Sequence, residues 1–171
     1  MSTTSNEHDR YLLHLNHALA MENALGDHLD KRIASIAEAQ TKQRLRRHRD
    51  ETAQHADSLR DIIVSLKGEP TSGKAVVQSP IAAGLMGKMM SALESEKEDR
   101  QLEEGLADYA IESYEVAVYS ALTLIARNLG YPQHAARFDA IRQQERDLAD
   151  FLAATLPAAI RQTFPPISQA A

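Results

Sequence analysis

Long stretches of this chain contain neither glycine nor proline, and this feature constrains the fold more than any other. Several of the seven glycines and six prolines among the 171 residues are clustered. The stretches between them predict four long helices, over about 6–38, 41–66, 91–129 and 132–156. The turn formers of segment 68–80 predict a connecting loop, and a short extra helix is expected around 81–90. The sequence therefore predicts an all-α fold.

The order of these helices indicates how they pack. Two antiparallel helical hairpins joined by a long crossover are the layout of the ferritin-like four-helix bundle, whereas simple up-and-down bundles need no such connection. We expect one bundle domain over residues 1–157, a normal length for a single core. Residues 158–171 contain Pro165 and Pro166 and are expected to form a flexible C-terminal tail.

Composition and charge exclude several classes of function. The formal net charge of −5 argues against a nucleic-acid partner, because such binding needs a basic surface. The absence of cysteine excludes disulfides, thiol catalysis and thiolate metal sites. The polar N-terminus lacks an apolar targeting core, and no apolar run is long enough for a membrane span. We therefore expect a cytoplasmic protein without a membrane partner.

Each predicted long helix carries potential metal ligands on its inward face. Glutamates interrupt the apolar stripes of the first, third and fourth helices at Glu22, Glu115 and Glu145, and Glu112 lies at the edge of the third stripe. The second helix adds three further groups, which are His48, His55 and, beside them, Glu51. A single glutamate of this kind is more often paired with Arg or Lys, and a single core histidine is more often hydrogen-bonded. Four helices together favour a shared site.

The spacing of these residues indicates that they lie at one height in the bundle. Glu22 and His55 are 33 residues apart, and so are Glu112 and Glu145. Such equal spacing suggests two hairpins related by approximate two-fold symmetry. Clustered buried carboxylates repel one another, and two divalent cations would balance four of them. Oxygen and imidazole ligands without sulfur suit iron or manganese, and zinc also fits.

At these residues the chain resembles the YciE/YciF-type family of ferritin-like bacterial stress proteins. The resemblance is carried by five segments, which are AMENAL (20–25), HRDETAQH (48–55), IESYEVAVYSAL (111–122), ARNLG (126–130) and the stretch around QQERD (143–147). It implies a ferritin-like bundle, a homodimer, a di-iron centre and a link to stress responses. The ligands it implies are Glu22, Glu51, Glu112, Glu115 and Glu145. His55 stands where the family more often has Gln, and His48 matches a family histidine that could be a ligand or could support one.

Three positions depart from the expected pattern. Ser113 stands where the family often has histidine. Ferritin-like di-iron sites use Glu-x-x-His on two helices, but here Gln54 follows Glu51 and Leu148 follows Glu145 at that spacing. The second metal position is therefore the less secure part of the expectation.

The sequence is compatible with two functional hypotheses. In the first, the chain binds two metal ions, most simply iron, and reacts with O₂ or peroxide or handles iron, with Tyr114 or Tyr119 as a hydrogen-bond or electron donor. In the second, it is a non-enzymatic dimeric interaction protein with an incomplete or purely structural metal site. The homodimer is implied mainly by the resemblance. Four apolar side chains of the short extra helix either support it or cap the bundle core, and these are Leu85, Met86, Met89 and Met90.

Overall fold

The computed structural model describes residues 3–72 and 99–164, and these residues form a four-helix bundle. The helices are α1 (Thr3–Ser35), α2 (Ala39–Ser65), α3 (Arg100–Asn128) and α4 (Pro132–Thr163). The packing of α1 on α2 and of α3 on α4 forms two hairpins, and α2 also contacts α4 while α1 contacts α3. The all-α prediction is confirmed. The predicted short helix at 81–90, with its Met-rich face, lies outside the described residues.

Each hairpin is closed by a short turn, one stabilised by a side-chain cap and the other by a glycine with positive φ. Glu38 caps α2, since its carboxylate accepts hydrogen bonds from the backbone N–H groups of Gln40 at 2.8 Å and Thr41 at 2.5 Å. The predicted end of the first helix at Glu38 is therefore three residues too late. Between α3 and α4, Gly130 adopts a φ of 79°, and the following N–H of Tyr131 bonds to the carbonyl of Ala126 at 2.8 Å.

Helix α4 is longer than the sequence indicates. It continues through Pro157 to Thr163, so the predicted end near Leu156 is wrong. A proline inside a helix costs a backbone hydrogen bond, but packing can compensate for that cost. Here Leu156 lies against Gly105 of α3, where a Cβ atom would be 3.3 Å from Leu156 Cδ2, and Ala159 is buried.

The apolar core consists of two clusters separated along the bundle axis by a polar layer. The first cluster draws on all four helices and includes Leu15, Leu59, Leu122 and Phe138. The second also draws on all four and includes Leu25, Leu45, Ile111 and Leu148. On every helix the predicted metal-ligating positions fall between the residues of the two clusters. Within the described ranges, none of the helices has the length and apolarity that crossing a membrane requires.

Candidate metal centre

One group of possible ligands joins three helices through His55 of α2. Its Nδ1 lies 2.8 Å from Oε1 of Glu145 on α4 and 3.6 Å from Oε1 of Glu22 on α1. All three side chains are buried, and they offer ligand atoms within 4.8 Å of one another. Two carboxylates and an imidazole at these separations can surround one metal ion.

A second group lies beside the first and contains His48, Glu112, Glu115 and Glu145. Nε2 of His48 is 3.4 Å from Oε1 of Glu112, and its Nδ1 is 3.8 Å from Oε2 of Glu145. Glu145 belongs to both groups, with Oε1 towards His55 and Oε2 towards His48. The arrangement therefore offers two adjacent cation positions that share one carboxylate.

Most of the carboxylate oxygens in these groups lack a hydrogen-bond donor among the described residues. Both oxygens of Glu115 and of Glu145 are buried without one, as are Oε2 of Glu22 and Oε2 of Glu112. The short approach of His55 to Glu145 counts as an ion-pair contact but lacks hydrogen-bond alignment. An unpaired buried charge costs several kcal/mol. Oxygens left bare in this way fit metal ligands, because a cation supplies the partner that the surrounding helices do not.

The electrostatics of the metal-free site disfavour ionised carboxylates. Burial raises the pKa of Glu112 and of Glu115 well above the usual range, and the nearby Glu145 raises both further. Burial also raises the pKa of Glu22, although contacts with His55 and with Tyr119 act in the opposite direction. Divalent cations would reverse this balance, since they stabilise the ionised carboxylates that proximity destabilises.

A glutamine from α4 orients His55. Nε2 of His55 lies 2.8 Å from Oε1 of Gln144, so the ring donates its Nε2–H outward and turns Nδ1 towards the carboxylates. Burial alone lowers the pKa of His55, but contacts with Glu145 and Glu22 outweigh burial and raise the pKa to about 10. In the metal-free protein these contacts therefore favour the protonated form of His55. In the sequence, only the position of Gln144 next to Glu145 indicated that it lies near the site.

Tyr119 supports the first group from α3. Its hydroxyl donates a short hydrogen bond to Oε1 of Glu22, and its ring lies 6.1 Å from the ring of His55. Burial, with Glu22 next in importance, raises the pKa of Tyr119 well above its usual range, so the phenol keeps its proton. Of the two tyrosines named from sequence, Tyr119 touches the site, whereas Tyr114 is only half-buried.

Glu51 lies outside both groups among the described residues. Its side chain is 17% exposed and contacts Arg44 at 3.1 Å and Nδ1 of His48 at 3.5 Å. The contact with His48, together with Arg44, holds the pKa of Glu51 at about 2 despite partial burial. In this arrangement Glu51 stabilises His48, and its role as a ligand stays a prediction.

The two imidazoles of the site both come from α2. Gln54 is exposed, and Leu148 packs in the second apolar cluster, so neither supplies a ligand at the expected Glu-x-x-His spacing. His48 and His55 lie two helical turns apart and face the two groups from one side. The site therefore still has two imidazoles, but they come from His48 and His55 and not from the two expected Glu-x-x-His positions.

Sequence reasoning missed a buried ion network beyond Glu112. Arg32 of α1 donates to Oδ2 of Asp108 at 2.8 Å and to Oε2 of Glu104 at 2.7 Å. His28 lies 3.7 Å from the other oxygen of Asp108. Glu104 and Asp108 precede Glu112 at intervals of four residues, which place them on the same face of α3. That spacing was the available signal.

The fold and its inward-facing carboxylates define a ferritin-like four-helix bundle. The model of the family described as "Domain of unknown function (DUF892)" matches residues 6–164, and the chain belongs to this family. The resemblance to YciE/YciF-type proteins is thereby confirmed. No curated protein sequence matches the chain significantly.

Three solved structures share the fold. The Escherichia coli stress protein YciF is 22% identical, with a TM-score of 0.77 over 95% of this chain and 98% of that one. YcfI from Rhodopseudomonas palustris, described as a candidate structural protein, is 24% identical, with a TM-score of 0.72 over 85% and 92% of the two chains. Ferritin-like, diiron-carboxylate proteins from Bacillus anthracis are represented at 16% identity, with a TM-score of 0.66 over 91% and 99%. At these identities the likeness concerns the fold, and it confirms the ferritin-like prediction.

Proposed function

We propose that the chain is a ferritin-like stress protein that binds two metal ions, most simply iron, at the two groups joined by Glu145. The observation that carries this proposal is that both carboxylate oxygens of the fully buried Glu115 lack a hydrogen-bond donor within residues 3–72 and 99–164. A carboxylate in that position stabilises the fold only when a proton or a cation accompanies it.

The residues of the site divide between the two cations in a simple way. Glu22 and His55 would hold one ion, Glu112, Glu115 and His48 would hold the other, and Glu145 would hold both. Four glutamates balance the charge of two divalent ions, and the two imidazoles add neutral ligands. Gln144 and Tyr119 hold His55 and Glu22 in place.

A pair of ferrous ions, when bound, supplies the electrons that reduce O₂ or peroxide. The chain itself contributes buried carboxylates, and the apolar clusters close the site along the bundle axis in both directions. The protonated Tyr119 hydroxyl keeps one oxygen of Glu22 engaged and leaves the other for an ion. These properties suit a protein that consumes an oxidant or takes up iron under stress.

Aerobic addition of Fe(II) tests this proposal. We expect the metal-free wild-type protein to bind iron and to oxidise it faster than buffer does, as measured by absorbance and by metal analysis after desalting. The double variant Glu112→Gln and Glu145→Gln removes one carboxylate that belongs to a single group and the carboxylate that both groups share. It should lose both iron binding and accelerated iron oxidation. The matched control is Glu103→Gln, which changes an exposed glutamate on α3. Equal iron binding by the double variant and the wild type contradicts the proposal.

A second candidate function is that of a dimeric interaction protein whose metal is structural. It is favoured by one observation, the absence of a ligand at Gln54 and at Leu148, the positions where two histidines are expected. It predicts that bound metal raises the melting temperature without any accelerated oxidation of Fe(II). A mass in solution of twice the chain mass is expected under both functions, so the oxidation rate is what separates them.

A further inference from the structure

A cleft on one side of the bundle leads from solvent to the first group of ligands. It lies between α1 and α2 and has a volume of about 320 Å³. Its lining includes two exposed carboxylates, Asp27 and Asp57, and also Glu22, which is only 1% exposed. The cleft therefore connects surface acids with a buried one.

We propose that this cleft is the route by which hydrated divalent cations reach the buried carboxylates, an inference that rests on the proposed function. The main observation behind this proposal is that Oε2 of Glu22 is buried and has no hydrogen-bond donor among residues 3–72 and 99–164. A cation in the cleft lies beside Glu22, whose Oε2 has no hydrogen-bond donor among the described residues. The other carboxylate oxygen of Glu22, Oε1, lies 3.6 Å from Nδ1 of His55, the next residue of the first group.

Several residues that line the cleft have little or no side chain. Gly26 is buried in its wall, and a Cβ atom there would lie 3.5 Å from Cζ of Arg49. Glycine in a helix interior is unfavourable by about 1 kcal/mol relative to alanine. Ala53 and Ala56 line the facing side on α2. The cleft wall thus includes three residues with little or no side chain, Gly26, Ala53 and Ala56.

Two arginines also line the cleft, and both are held by acceptors. Arg49 donates to the two carboxylate oxygens of Asp30 at 3.1 and 3.3 Å. Arg60 donates to Asp57 at 2.6 Å and to Asn23 at 2.8 Å. Their charges are therefore compensated locally, and the exposed Asp27 gives the cleft its remaining negative charge. That sign attracts a metal cation and disfavours an anion.

A second cavity, at the end of the bundle, is less suitable as a cation route. It has a volume of about 280 Å³ and reaches Arg32 and Asp108. Here the buried carboxylate is already paired with the guanidinium at 2.8 Å. An arriving cation would meet a fixed positive charge instead of a bare oxygen.

The rate of Co²⁺ binding to the metal-free full chain tests the route, with stopped-flow absorbance as the readout. Ala53→Phe adds bulk in the cleft and should slow both association and dissociation by about tenfold or more, with the equilibrium constant unchanged. Asp27→Lys reverses a charge in the cleft and should slow association by about tenfold at low ionic strength, an effect that salt weakens. The controls are Ala117→Phe on α3 and Asp150→Lys on α4, both exposed positions that do not line the cleft.

The outcomes separate the route from the proposed function. Slower binding in both cleft variants, together with wild-type stoichiometry and wild-type rates in both controls, supports the route. Wild-type rates in Ala53→Phe and in Asp27→Lys overturn the route while the metal site stands. Absence of Co²⁺ binding by the wild-type protein overturns the proposed function and the route with it. Because the two cleft variants act through bulk and through charge, loss of folding in one leaves the other as a valid test.

Discussion

Glu145 of α4 and His55 of α2 meet at 2.8 Å through Oε1 and Nδ1, and this contact joins the two hairpins at the centre of the bundle. The other oxygen of Glu145 lies 3.8 Å from Nδ1 of His48. One carboxylate thus faces both imidazoles of α2. It is the residue on which a two-ion site in this chain depends most.

Gln144→Ala should weaken metal binding at the first group. The substitution removes the acceptor that fixes the outward nitrogen of His55, so the ring is no longer held with Nδ1 towards Glu145. Loss of such an orienting partner typically lowers metal affinity by about 10- to 100-fold. Isothermal titration with Co²⁺ measures this, and Gln143→Ala is the control because that side chain is exposed and bonds to Asp147. Unchanged affinity in Gln144→Ala contradicts an orienting role.

Glu115→Gln should separate metal binding from folding. Because the pKa of Glu115 is raised by burial and neighbouring acids, the carboxyl of the metal-free protein resembles a neutral amide. We therefore expect a free energy of unfolding within about 1 kcal/mol of wild type without metal. Added Co²⁺ should raise the melting temperature of wild type and of Glu103→Gln more than that of Glu115→Gln. An equal rise in all three proteins would exclude Glu115 as a ligand.

The metal-free protein should lose stability as pH rises from about 5 to 10. Glu22, Glu112 and Glu115 have pKa values raised from 4.5, so their stabilising protonated forms are lost as pH passes above that value towards their folded-state pKa. His55 acts in the same direction, since its pKa rises from 6.5 to about 10 and its stabilising charge disappears in that interval.

Chemical unfolding of the chelator-treated protein at several pH values measures this slope. The pKa of Glu51 is lowered, so this residue makes stability change with pH in the opposite direction. Its contribution is lost only as pH falls from 4.5 to about 2, below the tested window. A free energy of unfolding that increases from about pH 6 to about pH 9 would show that the buried acids do not retain protons as described.

Arg32→Met should destabilise the fold severely. The substitution leaves Glu104 and Asp108 buried without their shared cation, and breaking such a buried pair costs about 3–5 kcal/mol. Urea unfolding is the measurement, and Arg47→Met, at an exposed position on α2, is the control. A loss below about 1 kcal/mol would mean that the network contributes no more than a surface ion pair.

The sequence was sufficient to predict the bundle and the inward-facing acids, because helical periodicity determines which side of a helix is buried. Glu22, Glu112, Glu115, Glu145 and His55 are all buried, as their stripes indicate. Periodicity does not determine which partner a polar side chain meets. The contact of Arg32 with Glu104 spans 72 residues, and that of His55 with Gln144 spans 89.

Glu51 is a second example in which helical spacing does not determine the contacts of a polar side chain. It lies three residues from His48 and four from His55, so spacing along α2 does not separate it from a ligand. The distinction depends on its tertiary surroundings: Oε2 of Glu51 contacts Arg44 at 3.1 Å as well as Nδ1 of His48 at 3.5 Å, and Glu51 belongs to neither group.

The stoichiometry of metal binding tests the central claim most directly. Chelator-stripped wild-type protein and Glu145→Gln would be equilibrated with Fe(II) without oxygen, or with Co²⁺, and the bound metal measured by elemental analysis. The account predicts two ions per chain in the wild type and a marked loss in Glu145→Gln, since that carboxylate serves both positions. Binding of no metal by the wild type, or of the same number of ions with the same affinity by the variant, would contradict it.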